Sequence, residues 1–299
     1  MPVPEGDTVH RAASRLHEAL AGRTVTHCDV RVPQYATVDL SGEPVHEVVA
    51  RGKHLLMRIG TTTVHSHLKM EGSWHVYRPG ARWRRPAFEA RMVLEVGAAG
   101  GGSAGGSVGG SLGGSLGSEH RGAESIAADI PPVDEQGWQA VGFALGELEI
   151  APTAQEEQMV GYLGPDPLGP DWDRTEALAR LTADPARPIG LALLDQRIIA
   201  GLGNDYRNET LFLRGVLPET PVGEVDAAAA VDLAVRLIRA NRDRVERTTT
   251  GDTRRGRRLW VAHRERQPCR RCGTPVRQGT LGDSALTERM TWYCPSCQR

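Results

Sequence analysis

Apolar positions along the chain change their spacing near Pro152. Before that point they mostly alternate. Thr24–Arg31, Val45–Ala50, His54–Ile59, Thr62–Leu68 and Gly72–Tyr77 read as strands. The clearest run is Phe88–Val96, in which Phe88, Ala90, Met92, Leu94 and Val96 fall on one face. Ala140–Ile150 resumes strand character, and a phase slip at Gly146 predicts a bulge. A helix precedes all of these: Val9, Ala12, Ala13, Leu16, Ala19 and Leu20 recur at helical spacing, with Asp7 as the expected N-cap and Gly22 as the stop. After Pro152 the period is helical over Gln155–Leu163, Arg174–Thr182, Ile189–Ile199, Asp205–Arg214 and Val222–Arg247. The last segment, Cys269–Cys297, is turn-rich and too small to fold without help.

The pattern predicts an α+β multidomain chain. Residues 1–152 form a β-sandwich or barrel behind a leading helix, 153–262 a helical unit, and 263–299 a small ribbon. Within the first unit, the glycine/serine tract 97–118 reads as a flexible insertion, because it has too little apolar surface to order itself. No apolar run approaches the length of a membrane span, and the N-terminus lacks the apolar core of a signal peptide, so a cytoplasmic location is expected.

Net charge changes the picture only when it is mapped. The chain carries a formal −1, yet Arg236–Arg299 holds 16 arginines against six acidic residues. A basic C-terminal third on a near-neutral protein is a localised footprint for a polyanion. Lys53 and Lys69 are the only lysines, which draws attention to both.

The metal signal is the strongest that spacing alone supplies. Cys269-x-x-Cys272 and Cys294-x-x-Cys297 offer two chelating thiolate pairs for a tetrahedral zinc. With four sulfurs and no position open to water, such a zinc is structural. Cys28 lies in a strand and reads as an ordinary buried thiol. His65 and His67 share a strand face, an arrangement that serves core packing more often than metal binding.

Other candidates carry two readings each. Arg51-Gly-Lys53-His54 is a basic turn: a solvated charge, or a group reserved for chemistry. Met70 sits at an expected loop tip, either filling the core or exposed to wedge between bases. Ala200-Gly-Leu-Gly-Asn204 joins two helical segments; its glycines permit close backbone approach, and Asn204 either caps a helix or meets a phosphate. Pro-Glu before the first helix is ordinary helix-start composition, or a secondary amine beside a carboxylic acid at the positive end of that helix.

Pro-Glu-Gly at 4–6, Arg-Gly-Lys-His at 51–54, His-Leu-x-Met-x-Gly at 67–72, Leu-Gly-Pro-Asp-Pro-Leu at 163–168, Leu-Leu-Asp-Gln through Gly-Leu-Gly-Asn-x-Tyr-x-Asn-Glu at 193–209, and the four cysteines form a set of motifs. In combination, they resemble the formamidopyrimidine-DNA glycosylase/endonuclease VIII family. They occur in that order over nearly the whole chain outside the glycine/serine tract. Gly-Asp-Thr-Val after Pro-Glu is most similar to the actinobacterial endonuclease VIII branch, which implies oxidised pyrimidines as substrates.

The resemblance implies an N-terminal β-sandwich catalytic domain, a helix-two-turns-helix DNA-binding domain and a zinc ribbon. The implied protein is a monomer acting on damaged double-stranded DNA, with single-stranded DNA as a second partner class. It implies a bifunctional glycosylase and lyase in which the Pro4 amine attacks C1′ of an extruded nucleotide, Glu5 moves the proton to the opening sugar, and Lys53 assists. Asn204 and Arg289 would grip flanking phosphates and Met70 would fill the vacated space. Arg254, Arg257 and Arg258 are further phosphate candidates. The chain departs from the family pattern at its start, since Met1-Pro2-Val3 precede Pro4 and would acylate its nitrogen. The expectation is that translation begins at Val3, read as an initiator methionine and then removed. The alternatives are an oxidised-purine substrate, or a damaged-DNA-binding protein of the same fold without catalysis.

Overall fold

The computed structural model describes residues 4–98, 137–284 and 286–299. The first helix, α1 (Gly6–Leu20), buries Val9, Ala13, Leu16 and Leu20, the expected stripe. Its N-cap is Glu5, with extended backbone and no capping side-chain bond. Asp7 is therefore in the first turn and not at the cap.

Behind α1 lie two four-stranded antiparallel sheets. One has the order β1 (Val25–Val30), β6 (Ala90–Val96), β7 (Trp138–Phe143), β5 (Ser73–Tyr77). The other runs β2 (Val45–Arg51), β3 (His54–Ile59), β4 (Thr62–His67), β8 (Glu147–Pro152). Leu55, Met57, Ile59 and Val64 from one sheet meet Met92, Leu94, Val96 and Ala140 from the other in one core with α1. This is a sandwich, and its inner faces are the alternating positions read from the sequence.

Two expectations change here, and a third lies mostly beyond the described residues. Ala140–Ile150 is not one bulged strand: the phase slip marks the chain leaving one sheet for the other, through a turn in which Ala144 has φ 45°. Phe88 does not share the buried face of Ala90–Val96; it lies in a 3-10 turn, Ala87–Glu89, and is 81% exposed. Of the expected insertion 97–118, residues 99–118 lie outside the described residues.

The helical unit contains α2 (Glu156–Val160), α3 (Arg174–Thr182), α4 (Ile189–Ala192), α5 (Asn204–Arg214) and α6 (Ala227–Asn241). Asp173 and Asp226 cap α3 and α6 by accepting backbone N–H bonds. The helix expected over Ile189–Ile199 stops after one turn because Gln196 competes with the backbone ladder. Its amide donates to the carbonyls of Leu194 and Leu202 and accepts from Gly201 N–H, closing a loop. The helix expected to reach Arg247 ends at Asn241, whose side chain bonds both Leu237 and Thr248 and turns the chain back. The hairpin β9 (Arg277–Leu281) and β10 (Arg289–Tyr293) follows, its core of Val261, Ala262, Val276 and Trp292 closed against Phe212 of α5. Among the described residues no helix is long and apolar enough to cross a membrane.

Candidate functional site

Three glycine-containing turns from distant parts of the chain meet at one point. Gly6 N–H donates to the Gly201 carbonyl at 2.9 Å, and a Cβ on Gly6 would lie 3.0 Å from Gly201 Cα. Gly52, with φ +60°, packs equally closely on Ala200 and Gly201, and Gly201 itself has φ +88°. The close approach puts the start of α1, the Arg51–Lys53 turn and the start of α5 side by side. Asp166, from the 163–168 motif, secures the junction by accepting Gly52 N–H at 2.6 Å and Leu168 N–H at 2.8 Å.

Glu5 is fully buried at this junction. Its Oε1 accepts the Asp205 backbone N–H at the N-terminus of α5, at 2.8 Å, and faces Arg247 Nη1 at 3.3 Å. Its Oε2 is buried with no hydrogen-bond partner. Burial pushes the Glu5 carboxyl up to about 7; Arg247 and Lys53 oppose that rise, while Asp205 and Asp7 add to it. Lys53 is pushed down to about 8 by desolvation, against the pull of Glu5. An acid and an amine whose titrations are drawn toward neutrality from opposite sides are what proton transfer at neutral pH requires.

Asn204 opens α5, but its side chain does not cap it. Its Nδ2 donates to the Met290 carbonyl of β10 at 2.9 Å, so it faces the hairpin next to Arg289. Arg289 is exposed, and its charge is felt at both Lys53 and Arg207. Pro4, half-buried, Glu5, Lys53, Asn204 and Arg289 thus belong to one neighbourhood. Met70 stands apart, 62% exposed on the turn after β4, where Lys69 has φ 52°. Residues 1–3, and with them the expectation about where the chain starts, lie outside the described residues.

Two of the three further arginines are engaged within the chain. Arg254 pairs with Asp252 at 2.7 Å and Arg258 with Glu246, while Arg257 is exposed. His65 Nε2 lies 2.7 Å from His54 Nδ1, and His67 Nδ1 accepts Lys69 N–H, so both rings serve the sheet.

The four cysteines are the one group among the described residues that could hold a metal ion, with all sulfurs within 4.8 Å of one another. Cys269 and Cys297 are 3.9 Å apart and Cys272 and Cys294 3.4 Å. Tetrahedral ligation at ~2.3 Å per Zn–S bond places sulfurs ~3.8 Å apart, close to the two separations here, so the donor set fits a zinc ion after small side-chain adjustments.

Sequence reasoning gave no role at the site to the polar residues behind Glu5: Asp7, Asp205, Tyr206, Arg207, Arg247 and His263. A lone aspartate or an arginine in an arginine-rich run has no periodic signature, and Arg247 read as the last residue of a helical period.

Residues 3–101 match the formamidopyrimidine-DNA glycosylase N-terminal domain and 163–252 the formamidopyrimidine-DNA glycosylase H2TH domain. The chain is 48% identical over 301 residues to a probable endonuclease 8 2 of Streptomyces coelicolor, covering 99% of this chain and 94% of that protein. It is 44% identical over 297 residues to the DNA-(apurinic or apyrimidinic site) lyase Nei2 of Mycolicibacterium smegmatis, covering 99% of each. In fold it is similar to MutM in complex with carbocyclic 8-oxo-G containing DNA, with TM-score 0.71 and 20% identity, over 99% of this chain and 100% of that one. The Lactococcus lactis Fpg in complex with DNA containing an abasic site gives TM-score 0.68 at 19% identity, over 99% of both chains.

Proposed function

Because the chain belongs to the formamidopyrimidine-DNA glycosylase/endonuclease VIII family, we propose that it is a bifunctional DNA glycosylase and DNA-(apurinic or apyrimidinic site) lyase of base excision repair. It binds damaged double-stranded DNA as a monomer and removes oxidised bases, chiefly pyrimidines. It acts at the nucleoid in the cytoplasm. Residues 1–152 carry catalysis, 153–262 grip DNA, and 263–299 form a ribbon held by one structural zinc on Cys269, Cys272, Cys294 and Cys297. That zinc supplies folding free energy and no chemistry.

The observation that carries the reading is the buried Glu5 carboxyl, one oxygen fixed and the other without a partner, drawn to about 7 beside Lys53. The damaged nucleotide leaves the stack, since its C1′ is unreachable within the duplex. The Pro4 nitrogen, as an unacylated secondary amine, bonds to C1′. The bond to the base breaks and the base departs with the amine proton, while Glu5 delivers its proton from Oε2 to the ring oxygen as the sugar opens to the iminium. The resulting iminium acidifies the 2′ hydrogen, so the 3′ phosphate departs by β-elimination and the 5′ phosphate by δ-elimination. Lys53 assists proton transfer and neutralises phosphate. Asn204 and Arg289 hold the flanking phosphates, and Met70 occupies the vacated stack.

Borohydride reduction during turnover on duplexes each bearing one oxidised base tests this. A covalent adduct, with peptide mapping placing the link on Pro4 and the fastest excision on oxidised pyrimidines, is expected. Tight binding without an adduct would instead identify a DNA-binding protein that has lost catalysis, and preferential excision of oxidised purines would reverse the substrate assignment.

A further inference from the structure

One buried group behind Glu5 has no part in the mechanism above. The Arg247 side chain is 5% exposed, on a segment with neither helix nor strand. Its Nη2 and Nε donate to the two oxygens of Asp7 at 2.7 and 3.0 Å, and its Nη1 donates to Asp205 Oδ2 at 2.7 Å. The same Nη1 faces Glu5 Oε1 at 3.3 Å. The guanidinium lies 4.8 Å from the centre of the Tyr206 ring, whose hydroxyl donates to Asp7 at 2.9 Å. On the far side, Asp205 Oδ1 meets His263 Nε2 at 2.8 Å.

One planar fork therefore ties the first turn of α1 to the first turn of α5, with Glu5 between them. A lysine ammonium, a point charge, cannot span three carboxylates in this way. Glu5 Oε1 receives the Asp205 N–H and the charge of Arg247, whereas Oε2 receives nothing. An oxygen that already accepts a hydrogen bond and faces a guanidinium charge is the poorer place for a proton. We propose that Arg247 is the positioning residue for the Glu5 carboxyl, holding Oε1 as an acceptor so that the transferable proton resides on Oε2. This rests on the reading of Glu5 as the proton carrier.

The charge also sets where that proton is held. The groups facing Glu5 are Asp7 from α1, Lys53 from the turn before β3, Asp205, Tyr206 and Arg207 from α5, and Arg247, with His263 acting through Asp205. Desolvation raises Glu5 and Arg247 is the strongest opposing influence. Without Arg247, Glu5 keeps its proton to higher pH. Because the protonated form is the active acid, the alkaline limb of excision moves upward.

Removing Arg247 alone leaves Asp7 and Asp205 buried without a counter-charge and endangers the fold. The paired variant Asp7→Asn/Arg247→Met removes one charge of each sign together. Single-turnover excision of an oxidised pyrimidine from a duplex, measured across neutral pH with the zinc-loaded protein whose chain begins at Pro4, is the test. The paired variant is expected to lose ~100-fold in optimum rate, the cost of a small misplacement of a reacting group, with its alkaline limb raised and duplex Kd within ~3-fold. Arg247→Lys keeps the charge but not the fork, so its limb stays in place while its rate falls ~10-fold. A folded paired variant with the wild-type limb and rate, beside an inactive Glu5→Gln, would overturn the role of Arg247 and leave that of Glu5 intact. Should the paired variant not fold, an unimpaired Arg247→Lys overturns it equally. Turnover by Glu5→Gln itself would instead remove the premise.

Discussion

Glu209 is the residue whose replacement should most clearly separate the ribbon from the rest of the molecule. Its carboxylate is fully buried. Oε1 accepts the backbone N–H groups of Val261 and Ala262, both at 2.9 Å, and Oε2 accepts that of Trp260 at 2.7 Å and the Thr249 hydroxyl. Burial pushes the group up and these four donors pull it down. Residues 260–262 lie in neither helix nor strand, so this one side chain takes the place of a backbone ladder for them. Glu209→Gln keeps one acceptor oxygen but turns an NH2 toward two donors. Two charge-assisted bonds at ~1.5–3 kcal/mol each are lost, a cost of about 3–6 kcal/mol. That is a large part of the ~5–15 kcal/mol that holds a typical domain together. The damage should fall on the core of Phe212, Val261, Ala262 and Trp292 and leave the sandwich untouched. Urea unfolding read by tryptophan fluorescence, together with hydrogen exchange at residues 260–262, measures it, with the exposed Glu219→Gln as control. If Glu209→Gln lies within ~0.5 kcal/mol of wild type and those amides keep their protection, the carboxylate is not what holds the segment.

Three further outcomes are expected. Gly203→Ala, at an ordinary extended φ of −129°, would drive its Cβ into the Glu5 carboxyl; excision should fall ~100-fold, and a wild-type rate would show that Glu5 position is not critical. Burial pushes His54 down to about 3 and His67 down to about 4, from an ordinary 6.5. The folded state thus binds fewer protons than the unfolded one, so this stability is present above pH 6.5 and is lost as pH falls toward 4. Urea midpoints should decline over that window, less so in His54→Asn/His67→Asn; an equal decline in both proteins would refute the assignment. Chelation should release the ribbon, raising protease sensitivity after residue 262 and weakening duplex binding, while chelated protein of full affinity would deny the metal its role.

The leading helix, the strand phases of the sandwich and the four-sulfur donor set were legible because each is written in local spacing. The stripe Val9–Leu20 has to face a core wherever that core lies, and two Cys-x-x-Cys pairs are already chelates. Errors occurred where a single side chain overrode the period. Gln196 closed a loop within an apparent helix, Asn241 ended another early, and the slip at Gly146 was a crossing between sheets. Phe88 kept the alternation but lay beyond the strand's first residue.

The Glu5 site is of the other kind. By itself the sequence determined that a proline–glutamate pair begins a helix, that a basic turn carries Lys53, and that a glycine turn leads to Asn204. Only the tertiary structure decided that these meet, through the contact of Gly6, Gly52 and Gly201, and that Arg247 reaches Asp7 across 240 residues. A periodic pattern reports the burial of a segment against its own neighbours. An ion pair between distant segments depends on how whole units pack, and a buried arginine is spelled the same way as a solvated one.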